Sequence, residues 1–168
     1  MTVLKTLEKW NFWRKARNRH GVHSPFVYRF LDEGLYRRDL RKFPPQKRLL
    51  IAAADHFGPH KAIACDPQSP MAEWLRSERP GIRWEGPPTG LFICDSPGEE
   101  LLAFLDKPEL WENDTVVFVG DLRKNRNSIA YWDRATGHSA VRVILETYPA
   151  GLLLFRTQQA PEHFRIRI

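Results

Sequence analysis

Residues 115–119, Thr-Val-Val-Phe-Val, are apolar along their whole length and rich in β-branched side chains. A strand with one wet face would alternate apolar with polar residues, so a run like this one is covered on both faces. Shorter runs at 61–65 (KAIAC) and 91–94 (LFIC) repeat the signature, and 82–85 reads as a brief strand. Helical patterns separate them, at 69–79 carrying Met71, Trp74 and Leu75, at 98–106 and at 125–136. Apolar strands alternating with amphipathic helices predict a mainly parallel sheet with helices on both faces. Residues 141–147 and 152–156 face each other across a turn and predict a hairpin, which adds one antiparallel strand. The segment 163–168 alternates Phe164, Ile166 and Ile168 with Arg165 and Arg167, as a half-exposed edge strand does. Ligands of such sheets bind beyond the carboxyl ends of the strands. In this chain Cys65-Asp66, Asp95-Ser96 and Gly120-Asp121 stand there.

The first quarter of the chain has a different character. Val3, Leu7 and Trp10 at i, i+4 and i+7 predict a helix, extended by Trp13 and stopped by Gly21. Ser24 as N-cap and Pro25 at the first helical position open a second helix with Phe26, Phe30 and Leu31 on its apolar side, ending near Gly34. Pro44-Pro45 marks a boundary, and 46–57 reads as a third helix stopped at Gly58-Pro59. Residues 1–48 hold 13 Lys and Arg against 4 Asp and Glu, whereas the remaining 120 residues hold 13 and 16. The net charge of +6 thus conceals a surplus on one segment. The predicted organisation is a basic helical extension, 1–48, followed by an α/β domain, 49–168.

Within that extension Trp10, Phe12 and Trp13 interleave with Lys9, Arg14, Lys15, Arg17 and Arg19. Basic side chains track phosphates and aromatic rings stack on unpaired bases, so residues 9–20 are a candidate nucleic-acid segment with Arg14, Lys15, Arg17 and Arg19 as anion contacts. The same pattern suits an interfacial helix on an anionic membrane, a face packed on a partner, or a solvated surface. His20 and His23 flank Gly21, where they either contact a ligand or fix the packing of one helix on the next. His56, His60, His138 and His163 have no metal-ligand spacing, and no G-x-S-x-G, P-loop or C-x-x-C motif occurs.

Composition excludes several classes. With 42% hydrophobic and 27% charged residues in 168, the chain suits one globular domain rather than a disordered one. No apolar run approaches the ~18 residues of a membrane span, and the charged start lacks the apolar region of a secretory signal. Two cysteines, Cys65 and Cys94, supply neither a disulfide framework nor a four-cysteine zinc site; they read as small core residues at neighbouring strand ends. A reducing, cytoplasmic setting is the expectation.

The run Arg19-His20-Gly21-Val22-His23-Ser24-Pro25-Phe26-Val27, together with LFICDSP, NDTVVFVGDL and AGLLLFRTQQAPEHFRIRI, resembles the class I S-adenosylmethionine-dependent methyltransferases, in particular a bacterial group with an N-terminal helical extension. The resemblance implies an α/β, Rossmann-like sheet with a C-terminal antiparallel hairpin. It also implies an adenosylmethionine site at the strand ends, with Asp66, Ser69 and Asp95 nearest the cofactor. Related metal-dependent members hold a divalent cation with acids after their fourth and fifth strands, which match Asp95 and Asp121.

The sequence departs from that pattern in three places. The turn after the first strand, Ala64-Cys65-Asp66-Pro67-Gln68-Ser69-Pro70, has no glycine, although glycine lets backbone approach a cofactor. About 25 residues separate the first strand from LFIC, whereas each βαβ crossover takes roughly 30. A reduced strand number follows, with an open sheet edge that invites a second copy or a protein partner. Glu85 reads as a surface charge rather than the ribose acid, and Gly120 stands where the first acid of the metal pair belongs. The expectation is a catalytically silent relative that acts by binding, the alternative being a minimal methyltransferase that still binds adenosylmethionine.

Overall fold

The structure, a computed structural model, describes residues 3–18 and 21–168, with residues 3–5 described for backbone alone. The readings placed on Arg19 and His20 lie outside the described residues. Helix α1 spans Val3–Lys15; α2, Pro25–Arg29, runs on as a π-helical segment, Phe30–Leu35, and a 3-10 turn, Arg38–Lys42, leads to α3, Pro45–Phe57. Then come β1 (Lys61–Ala64), α4 (Pro70–Glu78), β2 (Arg83–Trp84), β3 (Thr89–Cys94), α5 (Glu99–Leu105), β4 (Trp111–Val119) and α6 (Arg126–Thr136). The hairpin strands β5 (Val143–Glu146) and β6 (Gly151–Leu154) and the tail strand β7 (Glu162–Arg165) close the chain.

The seven strands form one mixed sheet in the order β2-β1-β3-β4-β6-β5-β7. Only β6 opposes its neighbours; the other pairings are parallel. The carboxyl ends of six strands therefore lie along one side of the sheet, together with the start of β6. Between β1 and β3 the chain fits one helix and a two-residue strand, as the spacing requires. Trp84 pairs with Ala62, so β2 stops short of the carboxyl end of β1.

Local chemistry sets the boundaries. The Ser69 hydroxyl caps α4 by accepting the Ala72 N–H at 3.0 Å, with Pro70 at the first helical position. The Asn125 side chain accepts the Ser128 N–H at 2.9 Å and caps α6. Gly58 ends α3 in the left-handed region at φ 57, which glycine enters without a Cβ penalty. Ser24 stands at the N-cap of α2 as expected, but its side chain makes no capping bond; its carbonyl accepts the Tyr28 N–H instead.

The alternation along each strand divides the core between the two faces of the sheet. Leu91, Ile93, Val116, Phe118, Leu145 and Leu152 pack under α2, α3 and α4, where Phe30, Leu31, Leu49, Leu50 and Leu75 are buried. Phe92, Val117, Val119 and Leu153 pack on the other face, against Leu101, Leu105 and Trp132 of α5 and α6. The boundary at residue 48 falls inside α3, and Val22, Val27, Phe30 and Leu40 share one buried cluster with the sheet. Only α1 stands apart: among its described side chains Phe12 alone is buried, followed by Ala16 just beyond it. Among the described residues no helix is long and apolar enough to cross a membrane.

Candidate functional site

The carboxyl ends of β1, β3 and β4 hold the acids picked out by the sequence. Each has a local partner. Asp66 Oδ1 accepts the Gln68 N–H at 2.8 Å within its own turn. Asp95 Oδ1 accepts the Met71 N–H at 3.1 Å, so it caps the helix before its strand rather than the one after it. Ser69 is buried by its capping bond. Asp121 takes a left-handed backbone conformation, φ 41, which short polar side chains tolerate. The Gln46 side chain at the start of α3 locks it from both sides: Nε2 donates to Asp121 Oδ1 at 2.6 Å, and Oε1 accepts the Asp121 N–H at 3.4 Å. Gly120 lies beneath this amide. A Cβ there would come 2.7 Å from the Asp95 carbonyl oxygen and 2.8 Å from Gln46 Oε1. Among the described residues no group of three or more His, Cys, Asp or Glu is placed to hold a metal ion.

Cys65 and Cys94 do meet, as neighbours at the ends of β1 and β3. Cys94 donates a hydrogen bond to the Cys65 sulfur, which lowers the Cys65 thiol; the same bond, with burial, pushes the Cys94 thiol well up. Glu85 pairs with Lys61 and Arg83, each at 3.5 Å, on the surface.

A second constellation lies along the same side of the sheet, at the ends of β5 and β7, and sequence reasoning did not find it. Glu146 is 3% exposed. Its carboxylate accepts hydrogen bonds from Arg123 Nη2 and from His163 Nε2, the latter at 2.7 Å, and Arg165 Nε stands 3.8 Å away. Burial alone would raise this carboxyl, but the His163 hydrogen bond and the Arg123 charge outweigh it and hold it below the ordinary range. Arg123 also donates to the Thr147 and Tyr148 carbonyls. Its guanidinium lies 4.8 Å from the Phe12 ring and 5.0 Å from the Tyr148 ring, which ties α1 to the hairpin turn. Above the cluster opens a cavity of about 320 Å³, with Phe12, Leu122, Ile129 and Trp132 as apolar walls and Lys15 at its rim.

Beside it, a groove of about 280 Å³ is lined by Lys15, Arg17, His163, Phe164 and Arg165. Arg17 is fixed there by backbone pairing: its N–H donates to the Arg165 carbonyl at 2.8 Å, and its carbonyl accepts the Arg167 N–H at 3.0 Å. Trp10 and Trp13, one turn further back on α1, are 61% and 41% exposed. Arg14 lies over the Trp10 ring at 5.5 Å and Lys9 over Trp13 at 5.6 Å. The structure thus brings Lys15 and Arg17 to the tail strand and leaves Arg14 on the aromatic face. His23 is exposed.

Comparison with protein-family models, with curated proteins and with solved structures found no match.

Proposed function

We propose that this chain is a methyltransferase-like protein that binds a partner and does not transfer methyl groups. The observation that carries this reading is the Gln46 amide lying across Gly120 and Asp121 at the strand ends. By the resemblance, metal-dependent relatives hold their cation in this space, beside the cofactor position of Asp66, Ser69 and Asp95. Here a side chain of the same molecule spans it, and the close approach of the Asp95 carbonyl leaves no room for an acid at position 120. The glycine-free turn at 64–70 folds onto itself through Asp66 and Ser69. The nucleotide half is no better equipped, because β2 stops level with Ala62 and Glu85 is held by two cations. The residues present therefore do not fit adenosylmethionine. The methyltransferase likeness itself is supported by the mixed sheet, whose one opposed strand lies in a segment that resembles the family's closing hairpin.

Titration calorimetry and thermal melting with adenosylmethionine test the reading. A donor bound with a hundredfold excess over its dissociation constant would stabilise the fold by about 2.7 kcal/mol, a rise of roughly 5–10 °C for a chain of this size. The expected result at millimolar ligand is no saturable heat and no rise. Micromolar, saturable binding would overturn this reading in favour of the alternative, a minimal methyltransferase with its donor at Asp66, Ser69 and Asp95.

A further inference from the structure

We propose that the groove between the end of α1 and the β7 edge binds the backbone of single-stranded nucleic acid. Lys15, Arg17 and Arg165 meet its phosphates, and Trp10 and Trp13 stack on its bases. Among the residues lining this groove none is acidic. Among the described residues neither Lys15 nor Arg17 has a carboxylate partner, so their charge is not spent internally. The nearest acids lie on the side of the neighbouring cavity: Glu146 is buried against Arg123 and His163 with Arg165 Nε 3.8 Å away, and Glu8 and Asp133 line that cavity along with Lys15 and Arg165, which leaves Arg17 as the cation facing the groove alone. The cations are also held in place, because Arg17 and Arg165 sit on paired backbone and Arg17 Nη1 donates to the Gly21 carbonyl at 3.0 Å. Preorganised cations lose less side-chain freedom when an anion arrives.

The aromatic residues complete the recognition. Positions 10, 13 and 14 follow at i, i+3 and i+4, so Trp10, Trp13 and Arg14 share one face of α1, which ends at Lys15 where the groove begins. Exposed rings flanked by guanidinium and ammonium groups are what unpaired bases stack on, with little regard to sequence. The concave shape favours a threaded chain of phosphates over a bilayer, which is flat and meets projecting side chains. This inference rests on the reading of the chain as a binding module, but its test is separate, because oligonucleotide and adenosylmethionine binding are measured independently.

The test is fluorescence anisotropy of the full chain with a labelled uridylate 12-mer at several salt concentrations. Three phosphate contacts on a single strand predict a log–log salt slope of about −2. In Lys15→Gln/Arg17→Gln the slope should shrink to about −0.7, and Arg165→Gln alone should remove about a third of it. Trp10→Ala/Trp13→Ala should weaken binding at least about fivefold while leaving the slope unchanged. Arg83→Gln, at the far sheet edge, should change neither. These positions are solvent-facing, and melting curves confirm that each variant is folded. Polyglutamate and phosphatidylserine vesicles serve as competitors of other chemistry. The proposal is overturned if the 12-mer fails to bind, if either competitor binds more tightly than it does, or if the Lys15, Arg17 and Arg165 variants leave the slope unaltered.

Discussion

Glu146 closes an apolar strand, Val-Ile-Leu-Glu, and is the most deeply buried carboxylate among the described residues. A carboxylate in that position persists only because its partners outweigh its lost hydration. Its carboxyl therefore titrates lower in the folded protein than in the unfolded chain, where a glutamate has a pKa of about 4.3. The folded state binds fewer protons there, so this stabilisation is complete above the unfolded value and is lost as pH falls through the folded one. Asp55, hydrogen-bonded to Arg37 and Arg79, is lowered in the same sense despite its own burial, and adds to the acid limb. Urea unfolding should show stability falling below about pH 4. Glu146→Gln should cost about 3 kcal/mol at neutral pH, since Arg123 is left partly buried without its counter-charge, and should flatten part of that fall. An acid limb identical in the variant would show that Glu146 does not carry it.

At the scale of elements, the hairpin and α6 are fitted to each other through one small residue. Gly151 opens β6 beneath the Trp132 ring, and a Cβ there would come 2.7 Å from Cζ2. Gly151→Ala should destabilise by about 1–3 kcal/mol through overpacking, and Trp132→Leu should recover part of that loss in the double variant. Additive effects in a double-mutant cycle would show that the two do not bear on one another. The elements themselves were legible because each carries its own period: the apolar run at 115–119 and the alternation at 163–168 announce strands, and Ser69-Pro70 and Gly58 announce ends. The π-helical segment Phe30–Leu35 was not legible, since its apolar spacing reads the same as that of the α-helix it continues. Nor was the Glu146 cluster. Arg123, Glu146 and His163 are more than fifteen residues apart from one another and meet only because β6 returns the chain and β7 pairs beside β5. A glutamate ending an apolar strand was the one local hint. The acids that sequence did single out stand at the strand ends, but as Asp95 on Met71 and Asp121 on Gln46 they are tied into helix starts, which spacing could not reveal.

For the whole molecule, the division that matters falls after α1 rather than after residue 48. The buried apolar side chains between Val22 and Ala54 belong to the cluster that covers one face of the sheet, so removing them would expose Leu91, Ile93, Val116 and Phe118. The helix α1, by contrast, is attached through Phe12, Ala16, the Arg17 backbone pairing and the Arg167 hydrogen bond to the Trp13 carbonyl at 2.6 Å. The sheet edges fit this division. On one side β2 is two residues long and carries Arg83, which blunts pairing with another sheet, and on the other Arg17 pairs onto the residues after β7. Deleting residues 1–18 should therefore leave a cooperatively folded chain, with roughly 3–5 kcal/mol lost for the large buried ring of Phe12 and its contacts. The same deletion removes Trp10, Trp13, Lys15 and Arg17 together, so oligonucleotide binding should vanish while the two-state urea transition survives. Loss of the cooperative transition would mean that α1 is part of the core, and the nucleic-acid surface would then be a property of the whole sheet rather than of a strap laid across its end.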